Sequence, residues 1–275
     1  MLEIGKYNDL VVEKEVEFGL YLNSEEGEIL LPQKYVPEDV KVGDTINVFI
    51  YTDSEDRIIA TTIEPHGVID DFVFLEAKDV VPFGTFMDWG LEKDLLVPKS
   101  EQRDKMIPGE KYLTKISFDE MTSRVYGTTK ISVNCDSNIE ELKEGQKVEL
   151  LIHSLSKIGI MAVVDNRYYG MLYINETYKD LSPGDTCTGY IMRLREDNKI
   201  DLTLKEPGYG SVRGSSDIIL NKLEKAGGFI PCHDKSSPEE IKKNFSMSKK
   251  EFKRSIGGLF KKGLIDLKED GIKLK

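Results

Sequence analysis

Up to residue 205 the apolar positions come in short runs between polar turns. Segments such as Thr45-Ile46-Asn47-Val48-Phe49-Ile50 and Lys147-Val148-Glu149-Leu150-Leu151-Ile152 are β-rich and partly alternate, as half-buried strands do. Turn residues punctuate them at Asn23 to Gly27, Asp53 to Asp56, Asp165-Asn166 and Glu196 to Asn198. Beyond a linker, Glu206-Pro207-Gly208-Tyr209-Gly210, the period lengthens to that of helices. Ile219, Leu220 and Leu223 predict a helix from Ser215 or Ser216 to Gly227. Ser237-Pro238-Glu239-Glu240 combines a cap, Pro at the first helical position and Glu two residues on, and predicts a short second helix ending near Phe245. Ser248-Lys249-Lys250-Glu251 repeats the capping-box pattern before a third helix, with Phe252, Ile256, Leu259 and Phe260 on one face and Gly263 at its end. Leu264 to Leu267 and Ile272 to Leu274 flank Asp270-Gly271 as a hairpin.

The strand region repeats itself three times. Each copy has an apolar–Gly step (Phe18-Gly19, Phe83-Gly84, Ile158-Gly159), then an apolar strand end (Leu30-Leu31-Pro32, Leu96-Val97-Pro98, Leu172-Tyr173-Ile174). A Gly–acid pair follows (Gly43-Asp44, Gly109-Glu110, Gly184-Asp185), then a last strand carrying an aligned Thr (Thr61, Thr128, Thr203). Each copy reads as five short strands. Closure into a small Greek-key barrel removes the free edges that an open sheet of this size would expose. The expected fold is therefore mostly β with a C-terminal α+β domain: five-stranded barrels over 1–64, 68–133 and 143–206, then a winged helix over 212–275.

Charge separates the two regions. The chain carries a net −11, but residues 211–275 hold 15 Lys+Arg against 9 Asp+Glu, a net +6, which leaves −17 on the rest. A basic end segment is a plausible phosphate footprint, and equally the solvated face of a small domain. Residues 1–139 carry a net −14, which opposes tight nucleic-acid binding by the first two barrels. Three scattered cysteines (Cys135, Cys187, Cys232) give no disulfide framework and point to a reducing cytoplasm, and no apolar run is long enough to span a membrane. No Gly-Lys-Ser/Thr phosphate loop, dinucleotide fingerprint or zinc spacing occurs, so neither catalysis nor a cofactor or metal is expected.

The order Phe-Gly-x-aromatic, apolar strand, Gly–acid, and Arg/Lys-Ile-x-x-Thr resembles the RNA-binding repeat of ribosomal protein S1, an oligonucleotide-binding (OB) barrel. The whole layout, three such repeats and a winged helix, is similar to the bacterial conserved virulence factor B family. The resemblance implies stacking of bases on Phe18 and Tyr21 in the first copy and on Phe83 and Phe86 in the second, with Arg57, Arg124 and Lys199 reaching phosphates from the last strands. Gly19 and Gly84 would bring each aromatic pair to one face through a bulge. The chain departs from that family where Pro32, Pro98 and Tyr173 stand in place of a frequent His, and where Ile158 and Met161 replace the aromatics of the third copy. There Tyr168 and Tyr173 are the candidate rings. Lys34 and Lys99 follow the apolar strand ends within reach of a phosphate, and the single Trp, Trp89, is expected in the core. On the third helix Lys250, Arg254 and Lys261 share a face opposite the apolar one, where winged helices contact nucleic acid.

Three readings follow. The first is a monomeric regulatory RNA-binding protein that holds single-stranded RNA. The second is an interaction scaffold docking on the ribosome or RNA polymerase. The third is a duplex-DNA regulator led by the winged helix.

Overall fold

The protein is described here from a computed structural model, over residues 2–173, 180–206 and 212–275. Ile174 and positions 207–210 of the expected linker lie outside the described residues. The chain divides into two compact units, residues 1–137 with 163–169, and residues 138–162 with 170–275.

The first copy forms β1 (Tyr7–Val16), β2 (Gly19–Ser24), β3 (Gly27–Pro32), β4 (Thr45–Thr52) and β5 (Ile58–Thr61). They close in the order β1-β2-β3-β5-β4, with β3 and β5 parallel. The second copy repeats this with β6 (Phe72–Val81), β7 (Gly84–Met87), β8 (Leu95–Pro98), β9 (Lys111–Asp119) and β10 (Arg124–Thr128). Here the ladder runs β10-β9-β6-β7-β8, and β8 and β10 lie side by side without pairing, so this barrel keeps an open seam. A short α1 (Ile131–Asn134) follows. The third copy, β11 (Lys147–Leu155), β12 (Gly159–Val164), β13 (Tyr168–Tyr173), β14 (Thr186–Leu194) and β15 (Ile200–Thr203), closes like the first.

The repeated landmarks have one physical meaning in every copy. Gly43, Gly109 and Gly184 take φ of +95°, +84° and +94°, the left-handed region that favours glycine. Their N–H groups donate to Val12, Ala77 and Ile152 carbonyls at 2.8, 2.7 and 2.9 Å, fixing the entry to the fourth strand. The aligned threonines are buried, and each hydroxyl accepts the N–H two residues on: Ile63 to Thr61 at 3.0 Å, Lys130 to Thr128 at 3.2 Å and Lys205 to Thr203 at 3.1 Å. Gly19, Gly84 and Gly159 are required by close approach. A Cβ there would stand 2.1, 2.6 and 2.8 Å from a carbonyl oxygen of the neighbouring strand.

Within the first unit, β4 is buried on both faces. Val48 and Ile50 enter the first barrel's core, whereas Phe49 and Tyr51 pack with Trp89, Leu75 and Met87 of the second. The two-residue period of the strand makes this division. Trp89 is core as expected. Its ring meets Phe49 edge to face at 5.5 Å, and its indole N–H donates to the Gly67 carbonyl at 2.9 Å.

The C-terminal domain consists of α2 (Val212–Lys225), β16 (Phe229–Ile230), α3 (Pro238–Phe245), α4 (Lys249–Lys261), β17 (Ile265–Leu267) and β18 (Ile272–Leu274). Ile219, Leu223, Ile241, Phe245, Phe252, Ile256 and Leu259 build its core, which the β17–β18 wing closes. The Ser237–Glu240 capping box forms as the sequence predicts. At α4 only half of the expected box forms: Ser248 accepts from Glu251 N–H, but the Glu251 carboxylate accepts instead from the Ser215 hydroxyl at 2.7 Å. Phe260 is 49% exposed and outside the core, because the buried stripe ends at Leu259. The wing turn spans 268–271 rather than the Asp270-Gly271 pair alone, with Lys268 N–H donating to Gly271 at 2.8 Å. Among the described residues no helix is long and apolar enough to cross a membrane.

Candidate nucleic-acid interface

The two predicted aromatic pairs form, though not through a bulge at the glycine. Phe18 and Phe83 sit in the turns just before β2 and β7, so strand alternation does not separate them from Tyr21 and Phe86. Each carbonyl is pinned, accepting Gln33 N–H at Phe18 and Lys99 N–H at Phe83, both at 2.9 Å. The bulges lie on the neighbouring strands, between Val12 and Lys14 and between Ala77 and Asp79. Phe18 is 57% and Phe83 61% exposed, so both rings lie outside the barrel cores. Their centroids lie 6.2 Å from Tyr21 and 6.1 Å from Phe86, edge to face.

What surrounds the two pairs differs. On the second barrel a cleft of about 790 Å³ lies at the open seam, lined by Phe86, Leu96, Tyr126 and Arg124 among others. Tyr126 follows Arg124 by two residues and so shares its face of β10, a relation the strand period already contained. The Arg124 guanidinium donates to the Asp56 carboxylate from the β4–β5 turn, and this holds Asp56 below its ordinary ionisation range. On the first barrel Arg57 and Lys14 are paired within the barrel, and Lys34 with Glu92 from between β7 and β8 of the second. Arg57 meets Asp53 at 2.7 Å and Glu55 at 2.8 Å. Lys14 lies over the Tyr21 ring, 4.8 Å from its centroid, and bonds Glu28 at 2.6 Å, which raises the lysine's pKa. Lys34 bonds Glu92 and is raised likewise. Lys99, its counterpart on the second barrel, is exposed.

On the third barrel the expected ring assignment needs correction. Tyr168 is 3% exposed and belongs to the core, with the Arg167 guanidinium 5.0 Å from its ring centroid. β13 alternates strictly, so Tyr169, Met171 and Tyr173 share the outer face and Tyr168 points inward. Tyr173 donates to Asp201 at 3.3 Å and accepts from Arg195. Arg195 grips the buried Asp201 through two nitrogens at 3.0 and 2.7 Å, and that hydrogen-bonded carboxylate raises the arginine's pKa. Lys199 bonds Asp197 of its own turn at 2.7 Å. Sequence reading missed Arg195, which has no counterpart among the repeat landmarks.

On the winged helix Lys250, Arg254 and Lys261 are all exposed on α4, opposite buried Phe252, Ile256 and Leu259. Lys253 approaches Asp234 at 3.8 Å and Lys249 donates to the Lys235 carbonyl at 3.3 Å.

The fold and these faces define a class, tandem S1-type barrels with a C-terminal winged helix. Residues 4–63 match the S1 domain family and residues 217–274 the CvfB-like winged helix domain. Uncharacterized protein YitL of Bacillus subtilis is 28% identical over 273 residues, covering 95% of this chain and 90% of that protein. Conserved virulence factor B of Staphylococcus saprophyticus is 24% identical over 247 residues, covering 86% of this chain and 82% of that protein. A crystal structure of a multidomain protein with nucleic acid binding domains from Streptococcus pneumoniae shares 24% identity, covers 99% of this chain and 98% of that one, and superposes with a TM-score of 0.44. The likeness to the conserved virulence factor B family therefore holds over most of the chain. Its S1 and winged-helix domains support a nucleic-acid-binding role.

Proposed function

We propose that this protein is a non-catalytic, cytoplasmic RNA-binding regulator that holds single-stranded RNA on its barrels and adds phosphate contacts from the winged helix. The observation that carries the reading is the exposed Phe83–Phe86 pair beside the seam cleft, with Arg124 and Tyr126 on its wall. Flat rings and a cation in one groove suit an unpaired base and its phosphate, and they do so without selecting a sequence. A duplex stacks its bases on one another and offers no free base faces to such a surface. On the winged helix, Lys250, Arg254 and Lys261 form a row on α4 that suits backbone phosphates.

The test is fluorescence anisotropy of labelled poly-U, poly-A and duplex DNA with the full chain at two salt concentrations. Salt-sensitive binding of single strands in preference to duplex supports the reading. Preference for duplex would favour a winged-helix-led DNA regulator.

One observation favours a second role for the first barrel. Its flanking cations Arg57, Lys14 and Lys34 meet four carboxylates, Asp53, Glu55, Glu28 and Glu92, whereas on the second barrel Arg124 and Lys93 share the single carboxylate of Asp56. That surface suits a protein contact, such as ribosome or polymerase, better than RNA.

A further inference from the structure

Arg124 differs from its counterpart Arg57 in where its carboxylate comes from. Arg57 is paired inside its own turn, to Asp53 and Glu55. Arg124 is paired across the first unit, to Asp56 on the first barrel's β4–β5 turn. The same carboxylate receives Lys93 of the second barrel at 3.4 Å. Two cations from one barrel thus converge on one carboxylate from the other, at the rim of the seam cleft that all three residues line.

The geometry of each partner suits an exchangeable contact. Lys93 is anchored by two shorter bonds, to the Asp53 carbonyl at 2.7 Å and the Thr52 hydroxyl at 3.1 Å, so it stays in place when the longer one is lost. Asp56 holds φ of +59° at the tip of the turn, where its N–H donates to the Asp53 carbonyl at 3.0 Å. Asp56 is 46% and Arg124 58% exposed, and exposed pairs contribute only about 0–1 kcal/mol. Two of the four other carboxylates that line the cleft, Asp94 and Asp119, are engaged elsewhere, while Glu101 and Glu120 stand on the same wall. Asp94 bonds Lys78 at 2.7 Å, and Asp119 accepts Thr122 and Met121 of its own turn at 2.7 and 2.9 Å. A backbone phosphodiester carries the same single charge and two free oxygens as a carboxylate, so it can replace Asp56 on these cations, and a strand that binds also releases condensed counterions.

We infer that Lys93 and Arg124 form a backbone-phosphate site on the second barrel, that Asp56 occupies this site in the free protein, and that a single strand binds there by displacing Asp56. The inference rests on the single-strand reading above and adds to it a second phosphate ligand, Lys93, and an internal competitor. Through Asp56 the first barrel sets the affinity of the second without touching the strand.

The experiment is poly-U anisotropy on full-length variants at two salt concentrations. Asp56→Asn keeps the left-handed turn, which Asn tolerates, and removes the competing charge. It is expected to tighten binding about 2–5-fold, the equivalent of an exposed ion pair. Glu38→Gln, the same charge change at an exposed site away from the cleft, is expected to leave affinity within about 1.5-fold, since a single remote charge is screened at working salt. Lys93→Gln is expected to weaken binding and lower the salt slope by about one. In an Arg124→Gln background Asp56→Asn is expected to lose most of its effect. Equal or weaker binding by Asp56→Asn, tightening matched by Glu38→Gln, or tightening undiminished in the Arg124→Gln background each overturns the latch while the single-strand reading stands. No binding by wild type or Asp56→Asn at low salt overturns both.

Discussion

Phe83 and Phe86 meet edge to face with centroids 6.1 Å apart, although a separation of three would send them to opposite faces of a continuous strand. They meet because Phe83 stands in the turn before β7, held by the bond from Lys99 N–H to its carbonyl. Phe18 and Tyr21 repeat the arrangement. In both copies the ring stays exposed, outside the barrel core.

Replacing both Phe83 and Phe86 with Ala is expected to weaken poly-U binding about 10-fold or more, since each stacked base contributes about 1–3 kcal/mol. Phe83→Ala alone should change unfolding free energy by less than about 0.5 kcal/mol, because the ring is mostly solvated. Anisotropy and urea denaturation read the two effects separately. A loss of stability without a loss of affinity would make the pair structural.

The Arg195–Asp201 pair is a different kind of contact. Asp201 is 8% exposed and bonds both Arg195 and Tyr173. Asp201→Ala leaves Arg195 and Tyr173 with only each other and is expected to destabilise the third barrel by about 1–2 kcal/mol. Chemical denaturation followed by tyrosine fluorescence measures it, and a cost under about 1 kcal/mol would show the pair to be merely superficial.

On the winged helix, Lys250→Gln and Lys261→Gln are expected to lower the salt dependence of RNA binding by about one unit of slope each, with melting temperature unchanged. A slope that does not move would assign that face of α4 to solvation.

How much of this was legible in the sequence depended on how local the physics is. Ser237-Pro238-Glu239-Glu240 declared its helix because a capping box closes within four residues. The repeat landmarks were legible for the same reason: Gly43, Gly109 and Gly184 meet a local φ requirement, and Thr61, Thr128 and Thr203 bond two residues ahead. Ser248-Lys249-Lys250-Glu251 carried the same signature, yet Ser215 captures its Glu, and nothing nearby in sequence announces that. Tyr168 was misplaced because two adjacent tyrosines fit a strand in either phase, and the barrel register decides which one points inward. Asp56 and Lys93 went unread as partners of Arg124, since their contacts span tens of residues and belong to the packing of two barrels.

Burial gives the protein an alkaline limit. Desolvation pushes the Cys135 thiol and the Tyr51 phenol up to about 12 each, from ordinary values of 9.0 and 10.0. Both groups stay neutral in the folded state while the unfolded chain ionises them. The stability they confer is therefore full below pH 9 and is lost progressively as pH rises towards 12. Thermal melts between pH 8 and 11.5 should show a falling midpoint, less steep in Cys135→Ala. A midpoint flat across that range would contradict the raised ionisation of buried Tyr51 and half-buried Cys135.

On the proposed reading an unpaired strand lies on the seam face of the second barrel. Photo-cross-linking the full chain to a 4-thiouridine-substituted oligo-U, with peptide mapping by mass spectrometry, tests it most directly. Cross-links on the peptides carrying Phe83, Phe86 and Tyr126 are the predicted result. Efficient cross-linking confined to other peptides would contradict it.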